Sequence, residues 1–225
     1  MGNIMNMRMI HFIAVAMTAV LCVGCDAHIE EEDISMKVGH VLCTDGKTLP
    51  LEACRNMGKD PIAVVFYVNA GSDDRITGKG YAVYLWDIAP EAFADSLGVS
   101  QKTSADTEAF DGNTNTYALY DTKETASPMA EAVFDLWRYG QSAYIGSVAE
   151  MRLLNGVRES VNSTIEKCGG QSIPIGDDAC WYWTSTEVNG QQTAKAWLYS
   201  MGSGAIQETP KTQVHRVRPI ITINN

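Results

Sequence analysis

The chain has 225 residues, of which 45% are hydrophobic and 20% charged, the composition of a globular protein rather than a disordered or fibrous one. Its formal net charge is −10, and removing residues 1–24, whose only charged side chain is Arg8, makes it one unit more negative. An acidic surface repels phosphate backbones, so no nucleic-acid partner is expected, and the remaining length suits one domain with a short appendage.

The N-terminus carries Arg8 and then an apolar run to Val23, too short and too thinly flanked for a comfortable membrane span. It closes on Leu21-Cys22-Val23-Gly24-Cys25, which resembles a bacterial lipobox, where a small residue precedes the cysteine that becomes acylated. Gly24 and Cys25 fit, and Cys22 stands where that pattern prefers leucine. The resemblance implies a lipoprotein signal peptide over 1–24, lipidation at Cys25 and a lipid anchor in the outer membrane, facing the cell exterior. Asp26, Glu30, Glu31, Glu32 and Asp33 follow, similar to the surface-export signal of Bacteroidota-type lipoproteins. A charged, non-periodic tract cannot bury enough to fold, so 25–36 reads as a tether and 37–225 as the single domain.

VGHVLC (38–43) reads as a first strand, with Asp45-Gly46 as the turn after it. IAVVFYV (62–68) and GYAVYLWDI (80–88) are β-rich runs around a polar loop. Both faces of this hairpin are apolar, so it is expected to be covered on both sides. Cys43, Cys54, Cys168 and Cys180 permit disulfides in an exported chain. Four thiols allow three connectivities. The local pairs Cys43–Cys54 and Cys168–Cys180 are favoured over a metal site, which no CxxC or histidine pair supports.

Residues 89–127 are polar and turn-rich. Within them, Asp111-Gly112-Asn113-Thr114-Asn115 places oxygen donors at alternate positions, as calcium requires. The spacing misses the EF-hand pattern, so a plain turn is favoured and no cofactor is expected. Ser127-Pro128 then starts a helix carrying Met129, Val133, Leu136 and Trp137 at helical spacing. Ser147-Val148-Ala149-Glu150 is a capping box, and Met151, Leu154, Val157, Val161 and Ile165 form an apolar stripe. Asn155-Gly156 offers a break, and Gly169-Gly170 a stop. CWYWTST (180–186), AKAWLYSM (194–201), GAIQE (204–208) and HRVRPIITI (215–223) are short strands.

The second half resembles the bacterial C-type-lectin-like domain of lipoproteins, a group related to formylglycine-generating enzymes and the major paralogous domain. The residues that carry the likeness run from Asn115-Thr116 through Tyr144-Ile145-Gly146-Ser147 and Glu150, Leu153-Leu154 and Gly169-Gly170. They continue through Tyr182-Trp183-Thr184-Ser185-Thr186-Glu187 and Ala196-Trp197 to Arg216-Val217-Arg218-Pro219. Ile145-Gly146 departs from the family's Leu-Pro. The resemblance implies an α+β fold of small twisted antiparallel sheets with two or three helices. Asp95-Ser96-Leu97 is similar to an O-glycosylation acceptor triplet of the same bacterial group.

On that fold CWYWTST is a central strand. Trp181 and Trp183 then share one face, and Tyr182 and Thr184 the other. Trp183 and Trp197 are assigned to the core, and Trp181 or Tyr182 to ligand stacking. Glu187 is expected to form a structural ion pair with Arg216 or Arg218. No GxSxG or separated carboxylate pair is present, so a non-enzymatic module for a glycan or a surface protein is expected. Its contacts would come from Trp181, Tyr182, Asn189, Gln191, Gln192, Ser203, Gln207, Glu208 and Lys211, on loops of a rigid scaffold. An accessory subunit of a surface appendage or polysaccharide-handling complex is the alternative, and a retroelement-diversified receptor-binding protein a further one.

Overall fold

The computed structural model describes residues 35–71, 73–136, 143–176 and 180–224. The expected leader, Cys25, nearly all of the expected tether and Trp137 lie outside the described residues. In chain order the elements are β1 (Val41–Cys43), β2 (Thr48–Leu49), α1 (Leu51–Asn56), β3 (Pro61–Val68), β4 (Gly80–Tyr84) and β5 (Ile88–Ala92). Then follow α2 (Gly112–Asp121), α3 (Pro128–Asp135), β6 (Ala143–Ile145), α4 (Val148–Lys167), β7 (Trp181–Glu187), β8 (Lys195–Ser200), β9 (Ile206–Pro210), β10 (Val214–Val217) and β11 (Pro219–Ile223).

The strands form two sheets. One has the order β2-β1-β3-β4-β11-β6, the other β5-β10-β7-β8-β9. The architecture is α+β, with four helices among the described residues rather than two or three. The second sheet is mixed rather than purely antiparallel, because β10 runs parallel to β7 with Arg216 opposite Tyr182.

The apolar runs of β3 and β4 explain the layering. Side chains alternate across a strand. Val64, Phe66, Tyr81 and Val83 therefore enter one core, while Ala63, Val65, Ala82 and Tyr84 enter the other. Met151, Leu154, Val161 and Ile165 of α4 cover the first core. Leu119 of α2 and Met129, Ala130 and Val133 of α3 cover the second. The hairpin is thus covered on both sides, as its composition required.

α4 starts at the capping box. Glu150 N–H donates to Ser147 Oγ at 3.4 Å, and Ser147 N–H donates to Glu150 Oε2 at 2.7 Å. The helix runs unbroken through Asn155-Gly156. A Cβ at Gly156 would touch nothing, so this glycine costs about 1 kcal/mol of propensity and no packing. Gly169, at φ +75°, takes the left-handed conformation that stops the helix.

Three segments differ from the sequence reading. HRVRPIITI is not one strand: it breaks at Arg218, where the chain passes from one sheet to the other. GYAVYLWDI likewise ends its first strand at Tyr84, crosses at 85–87 and re-enters the second sheet as β5. The expected turn at 111–115 is the start of α2. There Asn115 Nδ2 donates to Asp111 Oδ1 at 2.8 Å, and Ser104 N–H donates to Asn115 Oδ1 at 3.1 Å. Those oxygens serve the helix start, and Thr116 Oγ1 accepts from Ile145 N–H at 2.9 Å, tying α2 to β6.

Both sheet crossings meet at one side chain. Arg218 is buried, its Nε bonded to Asp87 Oδ1, with Nη1 donating to Tyr84 O at 3.0 Å and Nη2 to Gln171 O at 2.8 Å. Arg216 Nη1 donates to the other Asp87 oxygen at 2.8 Å. The arginines therefore pair with Asp87 and not with Glu187. The register explains this: Arg216 lies opposite Tyr182, five residues from Glu187, or about 16 Å along a strand.

Candidate ligand-binding cleft

Trp197 and Glu208 face each other directly across β8 and β9. Cross-strand partners project from the same face of a sheet, their Cβ atoms about 5 Å apart. Two residues further along that face, Tyr199 OH accepts from Asn155 Nδ2 of α4 at 3.2 Å, so the helix covers the sheet there. Trp197 packs partly against the first core, and Glu208 is exposed. With the loop 104–107 they line a cleft of about 460 Å³. Its lining is Ser104, Ala105, Asp106, Thr107, Val188, Asn189, Trp197 and Glu208, and its volume falls in the usual range for small-ligand sites.

The groups on this lining suit hydrogen bonding and stacking. Trp197 is partly exposed, and the edge of its ring carrying Nε1 is enclosed with no hydrogen-bond partner. Glu208 Oε2 accepts from Lys195 Nζ and from Gln191 Nε2, each at 3.0 Å. The Lys195 bond, supported by Gln191, holds the Glu208 carboxyl below its ordinary value, so it is an anion at neutral pH. Asp106 Oδ1 accepts from Glu108 N–H at 2.9 Å. Ser104 Oγ accepts from Asp106 N–H at 3.2 Å, which shapes the loop tip. Arg152 Nη1, reaching across from α4, donates to Thr107 O at 3.2 Å.

Of the nine residues expected to touch a ligand, the fold brings two to this lining, Asn189 and Glu208. Gln191 orients Glu208, and Gln192 Nε2 donates to Asn189 Oδ1 at 3.4 Å. Gln207 is exposed but alternates to the opposite sheet face, across from Leu198. Ser203 sits in the turn before β9, where its Oγ accepts from Ala205 N–H. Trp181 is half-buried against both cores.

Two of the nine are misassigned. Tyr182 is fully buried, and its hydroxyl donates to Asp87 Oδ2 at 3.2 Å. Lys211 is also buried. Its Nζ donates to Glu187 Oε1 at 2.7 Å, Gln192 O at 2.9 Å and Val99 O at 3.0 Å, which uses all three ammonium protons. Burial lowers the lysine's proton affinity, and Glu187 opposes that shift. Glu187 therefore pairs with Lys211 and not with the expected arginines.

Trp183 lies in the core as expected, 1% exposed, its Nε1 donating to Glu91 O at 3.1 Å. Trp197 does not lie wholly in the core. Residue type alone points both tryptophans inward, and the β7–β8 register separates them: Trp183 lies opposite Leu198, so Trp197 projects from the other face. The loop 104–107 was missed because its small polar residues carry no periodicity.

The cysteines occupy two places. Cys43 and Cys54 are buried thiols with their Sγ atoms 3.2 Å apart. Cys168 follows Lys167, whose carbonyl accepts from Arg55 Nη2 at 2.6 Å, which puts it by the end of α1. Cys180 instead bonds with Ser200 Oγ at 3.2 Å. The expected Cys168–Cys180 pair is not formed, because α4 carries Cys168 to α1. Asp95-Ser96-Leu97 is exposed. No family model matches the chain, and no curated protein matches it.

Proposed function

We propose that the chain is a lipoprotein, acylated at Cys25 and held on the outer membrane facing outward, whose C-type-lectin-like domain binds a glycan without chemical turnover. The observation that carries the reading is the cleft: one partly exposed tryptophan beside Asn189, Asp106, Glu208 and two hydroxyl residues. Recognition of a hydroxylated ring calls for an aromatic surface for its apolar face and carboxylate and amide groups for its hydroxyls. Two carboxylates among those groups favour neutral or amine-bearing sugars over acidic ones.

The test is a glycan array probed with the mature chain, followed by titration of any hit. Trp197→Ala should weaken binding at least tenfold, and Trp181→Ala should leave it within twofold. Equal binding by the wild type and the Trp197 variant would remove the cleft from the account. Incorporation of a labelled fatty acid, abolished by Cys25→Ser, tests the anchor. A protein partner is the second reading. Tyr117 and Tyr120 favour it, since they are 60% and 45% exposed on α2 and neither lines the cleft. Co-purification at fixed stoichiometry, lost in Tyr117→Ser/Tyr120→Ser, would establish that role.

A further inference from the structure

The cleft wall at 104–107 has no regular secondary structure to hold it. Lys102 and Ala105 have φ values of 62° and 55°, a left-handed conformation that side-chain-bearing residues avoid. Such a conformation persists only where the surroundings over-determine it. Asn115 Oδ1 and Arg152 Nη1 hold Ser104 and Thr107 at and beyond the tip, and one carboxylate holds the stretch around Lys102. Glu187 Oε1 accepts from Gln101 N–H at 2.8 Å, and Oε2 accepts from Thr103 N–H at 3.2 Å and Thr103 Oγ1 at 3.1 Å. These bonds grip the residues on either side of Lys102. Ser100 Oγ adds a weaker one at 3.3 Å, and Thr103 Oγ1 accepts from Glu187 N–H at 3.1 Å.

Lys211 extends the grip to both walls. Its ammonium holds the Glu187 carboxylate, Val99 O at the base of the loop, and Gln192 O in the turn just beyond Asn189. Glu187 itself leads directly into Val188 and Asn189, which line the opposite side. One fully buried ion pair is thus bonded to the base of both walls, and neither member lines the cleft.

We propose that Glu187 and Lys211 are positioning residues: they set the separation between the 104–107 wall and Asn189, and so fix ligand affinity from behind. This rests on the cleft being the binding site. It differs from a purely structural clamp in that losing the pair changes the cleft at temperatures where the domain remains folded.

The experiment uses Glu187→Gln, Lys211→Met, and the milder Thr103→Val, which removes the two Thr103 hydroxyl bonds to Glu187 while leaving the ion pair, and serves if the ion-pair variants fail to fold. Asp87→Asn, at the distant sheet crossing, is the control for general destabilisation. Three readouts are taken well below the melting temperature. These are amide exchange over 101–107, the fluorine resonance of Trp197 in 5-fluorotryptophan-labelled chain (assigned with Trp197→Phe), and affinity for a neutral oligosaccharide that binds the wild type. The expected result is at least tenfold faster exchange at 103–107, a shifted Trp197 resonance and a tenfold or greater loss of affinity. The double variant Glu187→Gln/Lys211→Met should be no worse than the singles, and Asp87→Asn should leave all three readouts unchanged. Wild-type exchange and an unmoved Trp197 resonance in folded variants would overturn the proposal, as would equal effects from Asp87→Asn. If the wild type binds no oligosaccharide, the glycan reading fails, while exchange and fluorine spectra still decide whether the pair sets the walls.

Discussion

Replacing Asp87 with alanine strips the partner from a guanidinium that has no access to solvent. Arg218 is 1% exposed and spends its donors on Asp87, Tyr84 O and Gln171 O. The two carbonyls hold the side chain where it is, so Asp87→Ala leaves a buried charge rather than letting it swing outward. Breaking one side of a buried pair costs about 3–5 kcal/mol, and the Tyr182 hydroxyl loses its acceptor as well. Against a total stability of about 5–15 kcal/mol, that loss is large. At roughly 2–4 °C per kcal/mol for a domain of this size, thermal unfolding should shift down by about 6–20 °C. Arg216 shares the same carboxylate but keeps a third of its side chain exposed, so Arg216→Ala should cost no more than about 1 kcal/mol. The double change Asp87→Leu/Arg218→Leu removes both charges and should recover part of the loss. Chemical denaturation of the three variants beside wild type provides the assay. A cost below about 1 kcal/mol for Asp87→Ala, or equal costs for Arg216→Ala and Asp87→Ala, would refute the staple at the sheet crossing.

Glu150 gives a pH signature. Burial pushes its carboxyl up to about 7 from 4.5, Asp111 adds to the rise, and the Ser147 bonds oppose it. A carboxyl raised in the folded state binds its proton more tightly there, so the stabilisation is complete below pH 4.5 and lost as pH climbs through 7, on the order of 3 kcal/mol. His215 is lowered by burial and works in the opposite sense over part of that window. The relevant quantity is therefore the difference from Glu150→Gln, which should lack the decline; parallel stability curves would contradict it. Gly112→Ala would place a Cβ 2.2 Å from Glu150 Oε2 and 2.7 Å from Ile145 O, so denaturation should show about 1–3 kcal/mol of destabilisation from overpacking; a neutral result would contradict that contact. Mild oxidation should join Cys43 to Cys54 and stabilise the domain by about 3 kcal/mol, leaving half-buried Cys168 open to alkylation. Peptide mapping that found Cys168 joined to Cys180 would contradict the placement of Cys168 beside α1.

What the sequence shows and what it hides divides along local and distant interactions. β3 and β4 announce themselves by apolar residues on both faces, and α4 by Ser147, Glu150 and its stripe, because each signal lies within a few residues of its consequence. α2 does not: its Asn and Thr residues are poor helix formers, and it is held by Ser104 and Ile145 from elsewhere in the chain. The partner of Arg218 is equally hidden, since Asp87 lies 131 residues away and Glu187 stands nearer in sequence. Asn189 was legible as a loop-borne polar group and Glu208 as a polar residue, though it stands on β9 rather than a loop; the cleft itself needed the pairing of Trp197 with Glu208 and the arrival of residues 104–107 from a stretch without periodicity.

The cleft is the centre of the account, and its most direct test is a map of backbone and indole NMR shifts as a glycan hit is titrated into the labelled chain. The account predicts changes concentrated on the Trp197 indole, Asn189, Glu208 and the amides of 104–107, saturating together. Changes centred on Trp181, Trp86 or the α2 tyrosines instead, with residues 104–107 and Trp197 still, would contradict it.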